Sequence, residues 1–392
     1  MQSRIEFVIP VSFHPDSKRI MTRTTPLFSP LLFTFILMLS GYSSAQTVSD
    51  DLLTEQISAR SWQILNDILG EVGARPAGSE QEKQVLYGFT ARHWHQTSGI
   101  PVNSQPVTFK QNDSEKRSAN VWITFPGVSD KHIIIGAHAD STGEDEGSQG
   151  ATDNGVAVAL LLGLGEKLHT IELQHTVTLV LFGAEEPGLF GAKAFTTALL
   201  ADSHWFTKAP FPTAMINLDT IAGGDHLYIH SPTQKTYKLC AEEQSYNSST
   251  QVRDSLLSVA QTAGLPFALH PTFPDFPSGE TGGWSDHAPF ACAGIAVGYI
   301  EATNFSIKGR DGYDGYSQAL HPSLWTCLDT SQKTSCAPEQ EQQWGRIWHT
   351  SADRLDVLNK LYPQRLRTQL NAVTQLLLSF LAGDKQPPQH SD

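Results

Sequence analysis

Apolar and polar positions along the 392-residue chain follow two periods in turn. Leu53, Ile57, Trp62, Leu65, Ile68 and Leu69 recur at helical spacing and predict a helix over 51–69. A turn at GARPAGS follows. Ser79, with Glu82 three residues later, forms a capping-box signature for a second helix running through His95. Beyond it come short, β-branched apolar runs that predict strands at Asn120–Phe125, His132–Ala137, Thr176–Phe182, Ala214–Leu218, Leu227–His230 and Ile295–Ile300. Helical patterns lie between and after them, at Gly155–His169, Leu189–Leu200, Val252–Ala263 and Leu355–Ala382. Strands alternating with helices point to an α/β fold, a sheet with helices on both faces. The segment 309–343 is polar and rich in Gly, Tyr and Gln, and reads as a long loop or insertion.

Ligand sites in such sheets gather at the carboxyl ends of the strands. The strand ends here are unusually polar. HIIIGAHADS places His138 and Asp140 just past a buried strand, with Asp140 near enough to orient His138. GATDNGVAVALLLG puts Asp153 at the start of an apolar helix. VTLVLFGAEEPG puts Glu185 and Glu186 directly after another strand, INLD ends a strand at Asp219, and IWHTSADRLD places His349 before the last helix. A single His or Asp at a strand end is more often a cap or a surface group. Five such features in succession, two of them carboxylates pressed against a core, predict a metal site, because unpaired buried carboxylates are costly. Histidine and carboxylate donors suit Zn²⁺, and one carboxylate can bridge two ions.

Composition narrows the function further. Forty acidic residues against 27 basic ones give a net charge of −13, with no Lys/Arg stripe, which argues against nucleic acid as a partner. The four cysteines form no CxxC pair. Cys327 and Cys336 flank a polar loop and could close a small disulfide, whereas Cys292 lies in an apolar run and reads as a buried thiol. Residues 1–45 read as a signal-peptide region: Arg23, an apolar run from Leu31 to Leu39, then Ser43-Ser44-Ala45, with Met21 as a natural start. The run is too short for a permanent membrane anchor, so an exported protein, periplasmic or extracellular, is expected. The expected catalytic domain covers 46–384, and 385–392 reads as a disordered tail.

These motifs resemble the two-zinc exopeptidases of metallopeptidase family M28, with its H-x-D, a D-N at a helix start, E-E after a strand, N-L-D and a late H-T. GARPAGS, SANVWI and SDHAPF look like the same family, and the resemblance runs from about Ile57 to Leu381. It implies a single zinc-exopeptidase domain with a twisted mixed β-sheet, two Zn²⁺ per chain, and peptide or protein N-termini as substrates. It implies that Asp153 bridges the ions, that His138 and Asp219 complete one site, and that Glu186 and His349 complete the other. Glu185 would be the general base and Asp140 the partner of His138, with Asp286 and the neighbouring His287 near the substrate. Thr152 stands where the family often has Asp. INLDTIAGGDHLYIHSP and GIAVGYIEATNFSIKGRDGYDGY are similar to one bacterial branch, which implies removal of N-terminal arginine. Glu144, Asp145 and Glu146 offer a loop that could favour such a residue. Glutaminyl cyclases, with one zinc, resemble the same family and are the rival enzyme. A carboxypeptidase lacks an evident arginine for its substrate, and a metal-free binding domain is the non-catalytic rival.

Overall fold

A computed structural model describes residues 42–142, 147–202, 210–242, 245–273 and 277–383. The expected signal peptide, the acidic triplet Glu144–Glu146 and the expected tail therefore lie outside the described residues, except for the cleavage segment, which falls in the helix Tyr42–Glu71. From Gln46 onwards the chain forms one unit.

Nine strands make one mixed sheet: β1 (Asn103–Gln111), β2 (Ser114–Phe125), β3 (His132–His138), β4 (Thr176–Phe182), β5 (Ala214–Leu218), β6 (His226–Pro232), β7 (Phe267–Ala268), β8 (Glu280–Thr281) and β9 (Ala296–Thr303). Their order is β1-β2-β4-β3-β5-β9-β6-β7, with β8 beside β6. The central strands β4, β3, β5 and β9 run parallel, and β2 and β6 flank them antiparallel. β1 was not expected from sequence. It pairs on one side only, carries Pro106, and buries just Val107 and Phe109, so its apolar alternation is short.

Alternate residues of the central strands feed two cores. Ile133, Ile135, Val177, Leu179 and Leu181 pack with the helices Tyr42–Glu71, Val156–Gly165, Gln251–Thr262 and Arg365–Ala382. Ile134, Val180 and Phe182 pack with Phe195 and Leu199 of the helix Phe190–Ala201 and Phe290 of His287–Cys292. Helices thus cover both faces. Val156–Gly165 is buried on every side, as its unbroken apolar sequence requires. The second predicted helix runs over 80–98, with two π-helical stretches in its middle. The last one is split, because Pro363 cannot continue a helix, into Leu355–Leu361 and Arg365–Ala382.

Cys292 is not a free thiol. It is buried as expected but disulfide-bonded to Cys240, 52 residues earlier, with Cα atoms 5.1 Å apart. Its apolar surroundings hid a partner that only the fold brings near. Cys327 and Cys336 are also bonded and tie off the short hairpin Leu328–Asp329/Thr334–Ser335 inside the long 309–343 segment.

Candidate metal centre

The parallel strands β4, β3 and β5 lie side by side, and their carboxyl ends carry Glu185-Glu186, His138 and Asp219. β3 leads to β4 on one side, and the chain then returns to β5 on the other, so the crevice forms where the winding reverses. Asp153 enters from the start of the buried helix, and His349 from the loop before Leu355–Leu361.

These five side chains converge. The Nε2 of His138 lies 3.2 Å from Asp153 Oδ1 and 3.3 Å from Asp219 Oδ1. The Nε2 of His349 lies 3.1 Å from Asp153 Oδ2 and 3.0 Å from Glu186 Oε2. Each oxygen of Asp153 therefore faces a different histidine–carboxylate pair. The two sets, His138–Asp153–Asp219 and Asp153–Glu186–His349, each have ligand atoms within 4.8 Å of one another.

The surrounding bonds fix these groups. The Nδ1 of His138 meets the main-chain carbonyl of Asp140 at 3.1 Å; a carbonyl only accepts, so Nδ1 carries a proton and Nε2 is the nitrogen turned towards Asp153 and Asp219. The Asp140 carboxylate, suggested by the sequence as the partner of His138, lies 3.7 Å from that nitrogen. It instead accepts the N–H groups of Glu185 (3.0 Å) and Glu186 (3.1 Å), clamping the loop after β4. Asp219 accepts from Ser285 Oγ at 2.7 Å, and Ser285 accepts from Asn217 Nδ2 at 2.7 Å. Asn154 Nδ2 donates to the Leu218 carbonyl at 2.8 Å. Ala184, Thr220 and His349 hold left-handed φ values of 55°, 51° and 54°, a conformation that costs a non-glycine residue about 1–3 kcal/mol. All three lie in or beside the cluster.

The cluster is acid-rich and buried. Burial pushes Glu185 well above the usual carboxylate range; His138 opposes this, and Asp286, Glu186 and Asp219 add to it. Glu186 is pushed up to about 7 by burial and by Asp153. Burial disfavours the charge on His349, but Asp153 and Glu186 overcome it and raise this histidine to about 10. Asp286 is fully buried, its carboxylate has no hydrogen-bond partner, and burial holds it well above its ordinary range. His287 does not join the cluster. Its Nε2 is at the Gly282 carbonyl (2.8 Å), its ring stacks on Tyr299, and burial pushes it down to about 4.

The sequence model of peptidase family M28 matches residues 120–374, more than half of the chain. The chain belongs to peptidase family M28. The alkaline phosphatase isozyme conversion protein of Escherichia coli K12 is 26% identical over 276 residues, covering 67% of this M28 peptidase and 70% of that protein. A zinc aminopeptidase from Bacillus subtilis superposes with a TM-score of 0.55 at 12% identity, over 86% of this chain and 96% of that one. A glutaminyl cyclase from an Acidobacteriales bacterium superposes with a TM-score of 0.58 at 17% identity, over 83% and 94%. At such identities the two superpositions speak for the fold.

Three supporting residues of this peptidase escaped the sequence reading. Asp353 accepts from Thr152 N (2.6 Å), Thr152 Oγ1 (2.8 Å) and Asp153 N (3.2 Å), and so aims the shared carboxylate. Arg75, fully buried, donates to the carbonyls of Gly73, Ala139, Gln149 and Gly150. Gly150, at φ 62°, has no room for a Cβ, which would meet the Asp153 carbonyl at 2.7 Å and Arg75 at 2.9 Å. Glu82 accepts from Gly78 N, Ser118 Oγ and Ala184 N, bracing the residue before Glu185. Its capping-box position was visible, but its real task lies across the fold. The cluster opens into a cleft of about 1100 Å³, roofed in part by the 309–343 segment.

Proposed function

We propose that this M28 peptidase is a zinc-dependent aminopeptidase holding two zinc ions. The observation that carries the reading is Asp153, whose two oxygens face two separate histidine–carboxylate pairs. The donor chemistry fits the metal. Among the described residues none of the carboxylates of Asp140, Asp153, Glu185, Glu186, Asp219 and Asp286 is ion-paired with a lysine or arginine, and Glu186 Oε1 is buried without a partner. Such an excess of buried negative charge calls for dications. His138 and Asp219 would hold one zinc, Glu186 and His349 the other, with Asp153 bridging. Bound there, zinc supplies an acidified water and a counter-charge for the developing oxyanion.

The chain's own residues do the rest. Glu185 takes a proton from the attacking water and passes it to the departing amine. Asp140 holds the Glu185 and Glu186 amides so that one neighbour serves as base and the other as ligand. Substrates are the N-terminal residues of peptides or proteins, with basic ones favoured. The chain acts outside the cytoplasm, a location supported by its two disulfides and its N-terminal sequence pattern. No helix among the described residues is long and apolar enough to cross a membrane.

Metal analysis joined to Glu185→Gln tests this reading. The variant keeps about two zinc ions and loses at least about a hundredfold in turnover of aminoacyl amides. Near-normal turnover removes Glu185 as the base. The second reading, a glutaminyl cyclase, shares the fold; one zinc per chain and ammonia released from N-terminal glutamine would favour it.

A further inference from the structure

Resting on the aminopeptidase reading, the geometry points to Glu301, with Asp314 and the rings of Trp284, Tyr316 and Trp348, as the subsite that binds a cationic side chain on the substrate's first residue. All five line the cleft that holds the metal cluster.

Glu301 stands on β9, next to β5. Leu218 pairs with Ile300, so Asp219 and Glu301 follow as neighbours across parallel strands; the Asp219 N–H reaches the Ile300 carbonyl at 3.4 Å. In-register residues project from the same face, and strands lie about 4.8 Å apart, so Glu301 presents its carboxylate one strand beyond a candidate zinc ligand. Its side chain is 16% exposed, and its Oε2 makes no well-formed hydrogen bond. The Nε2 of His230 approaches that oxygen at 3.1 Å without forming a hydrogen bond. Burial, with Arg253 adding to it, keeps His230 neutral, near pKa 3, so the imidazole brings no counter-charge. Among the described residues Glu301 is ion-paired with no lysine or arginine. It is a carboxyl group on a cleft wall without a positive partner; burial and the nearby Asp219 push it up to about 8, and a cation bound beside it would favour its charged form.

What surrounds it selects the kind of cation. Asp314 is half-buried and accepts from Tyr316 N at 3.0 Å, and the charges of both Asp314 and Glu301 act on the Tyr316 phenol. Tyr316 stacks on Trp348 at 5.1 Å between centroids, and Trp284 lies 6.4 Å from Tyr316. Trp284 and Tyr316 are 37% and 44% exposed, so ring surface is open to a ligand. The Trp348 ring already has the Arg346 guanidinium 5.7 Å from its centroid. Arg310, also in the cleft wall, is paired with Asp311 at 3.2 Å. Two carboxylates beside aromatic faces suit a flat, weakly hydrated guanidinium best and an alkylammonium next. An apolar side chain would leave Glu301 buried and unpaired.

The test uses the zinc-loaded full chain, Glu301→Gln and Tyr316→Ala, with arginine, lysine, leucine and alanine 4-nitroanilides. Wild type should favour arginine over leucine at least about tenfold in kcat/KM, and Glu301→Gln should lower that ratio at least about tenfold, chiefly through KM for arginine. Tyr316→Ala, an exposed position, should lower the ratio by a smaller factor. An unchanged ratio in Glu301→Gln, or equal turnover of leucine and arginine by wild type, overturns the subsite while leaving the aminopeptidase reading standing. If no amide is turned over, that reading fails first, and arginine amide titrated against tryptophan fluorescence still examines the subsite. Saturation in wild type that is lost in Glu301→Gln supports the subsite, and no saturation in wild type overturns it.

Discussion

The two halves of the metal cluster share Asp153 and the same donor types, one histidine and one carboxylate each, but differ in how those donors are held. His138 and Asp219 come from adjacent strand ends, their side chains are 1% and 12% exposed, and each is held by further hydrogen bonds. Glu186 lies four residues past the end of β4, and His349 comes from the loop before Leu355–Leu361; His349 is 29% exposed at a left-handed φ, and Glu186 Oε1 has no partner. A pre-organised set loses little freedom when an ion arrives, whereas a looser one must be ordered by it. The strand-end half should therefore bind its zinc more tightly, and the loop half should be the one that empties first.

The largest expected effect tests whether the halves are separable at all. Asp153→Ala should strip both ions and lower turnover at least about a thousandfold, since metal charge stabilisation is worth several kcal/mol. His349→Ala should keep one zinc by metal analysis. A His349→Ala protein with no zinc would show that the halves fill only together. A smaller effect is expected from Asp353→Asn, which leaves every ligand in place but loosens the aim of Asp153. Zinc affinity by competition with a chelator should fall about tenfold to a hundredfold, the usual consequence of losing a ligand's hydrogen-bond partner. Unchanged affinity would mean that the main chain alone positions the bridge.

The smallest effect concerns pH. Burial raises Glu82 and Glu186 to about 7 and Glu301 to about 8, so the stability each contributes is full below its unfolded value near 4.5 and is lost as pH rises through those values. His349, raised to about 10, acts in the same direction above its unfolded value near 6.5. Asp153, held below its ordinary range, works the other way, but only in acid. Chelated protein should thus melt several degrees lower at pH 8 than at pH 5, and zinc should close most of the gap. A melting temperature that rises from pH 5 to pH 8 without metal would contradict the balance of charges described for the cluster.

Much of this was legible in the sequence because strand ends are local features. An apolar run followed by His138, by Glu185-Glu186 or by Asp219 announces both the strand and the polar group beyond it, and the parallel sheet brings those groups together. The supports were illegible for the opposite reason. Asp353 acts on residues about 200 positions away, Arg75 on carbonyls up to 75 away, and Glu82 on Ala184, 102 away. Nothing in SADRLD or GARPAG distinguishes such tasks from an ordinary turn. Glu301 was passed over because a lone acid within an apolar strand gives no sign of which neighbour it will face. The Cys240–Cys292 bond was hidden in the same way.

Arg75 has a further consequence for how the molecule comes apart. Its guanidinium is satisfied only while the end of the first helix, the segment after β3 and the turn at Gln149–Gly150 are all closed around it. Opening any one of them strands a buried cation, a far larger cost than fraying a solvated loop. These three segments are therefore expected to exchange their amide hydrogens as one unit, at the rate of global opening, with zinc present or removed. The centre would then be a frame that outlasts its metal, able to release and recapture ions without passing through the unfolded chain.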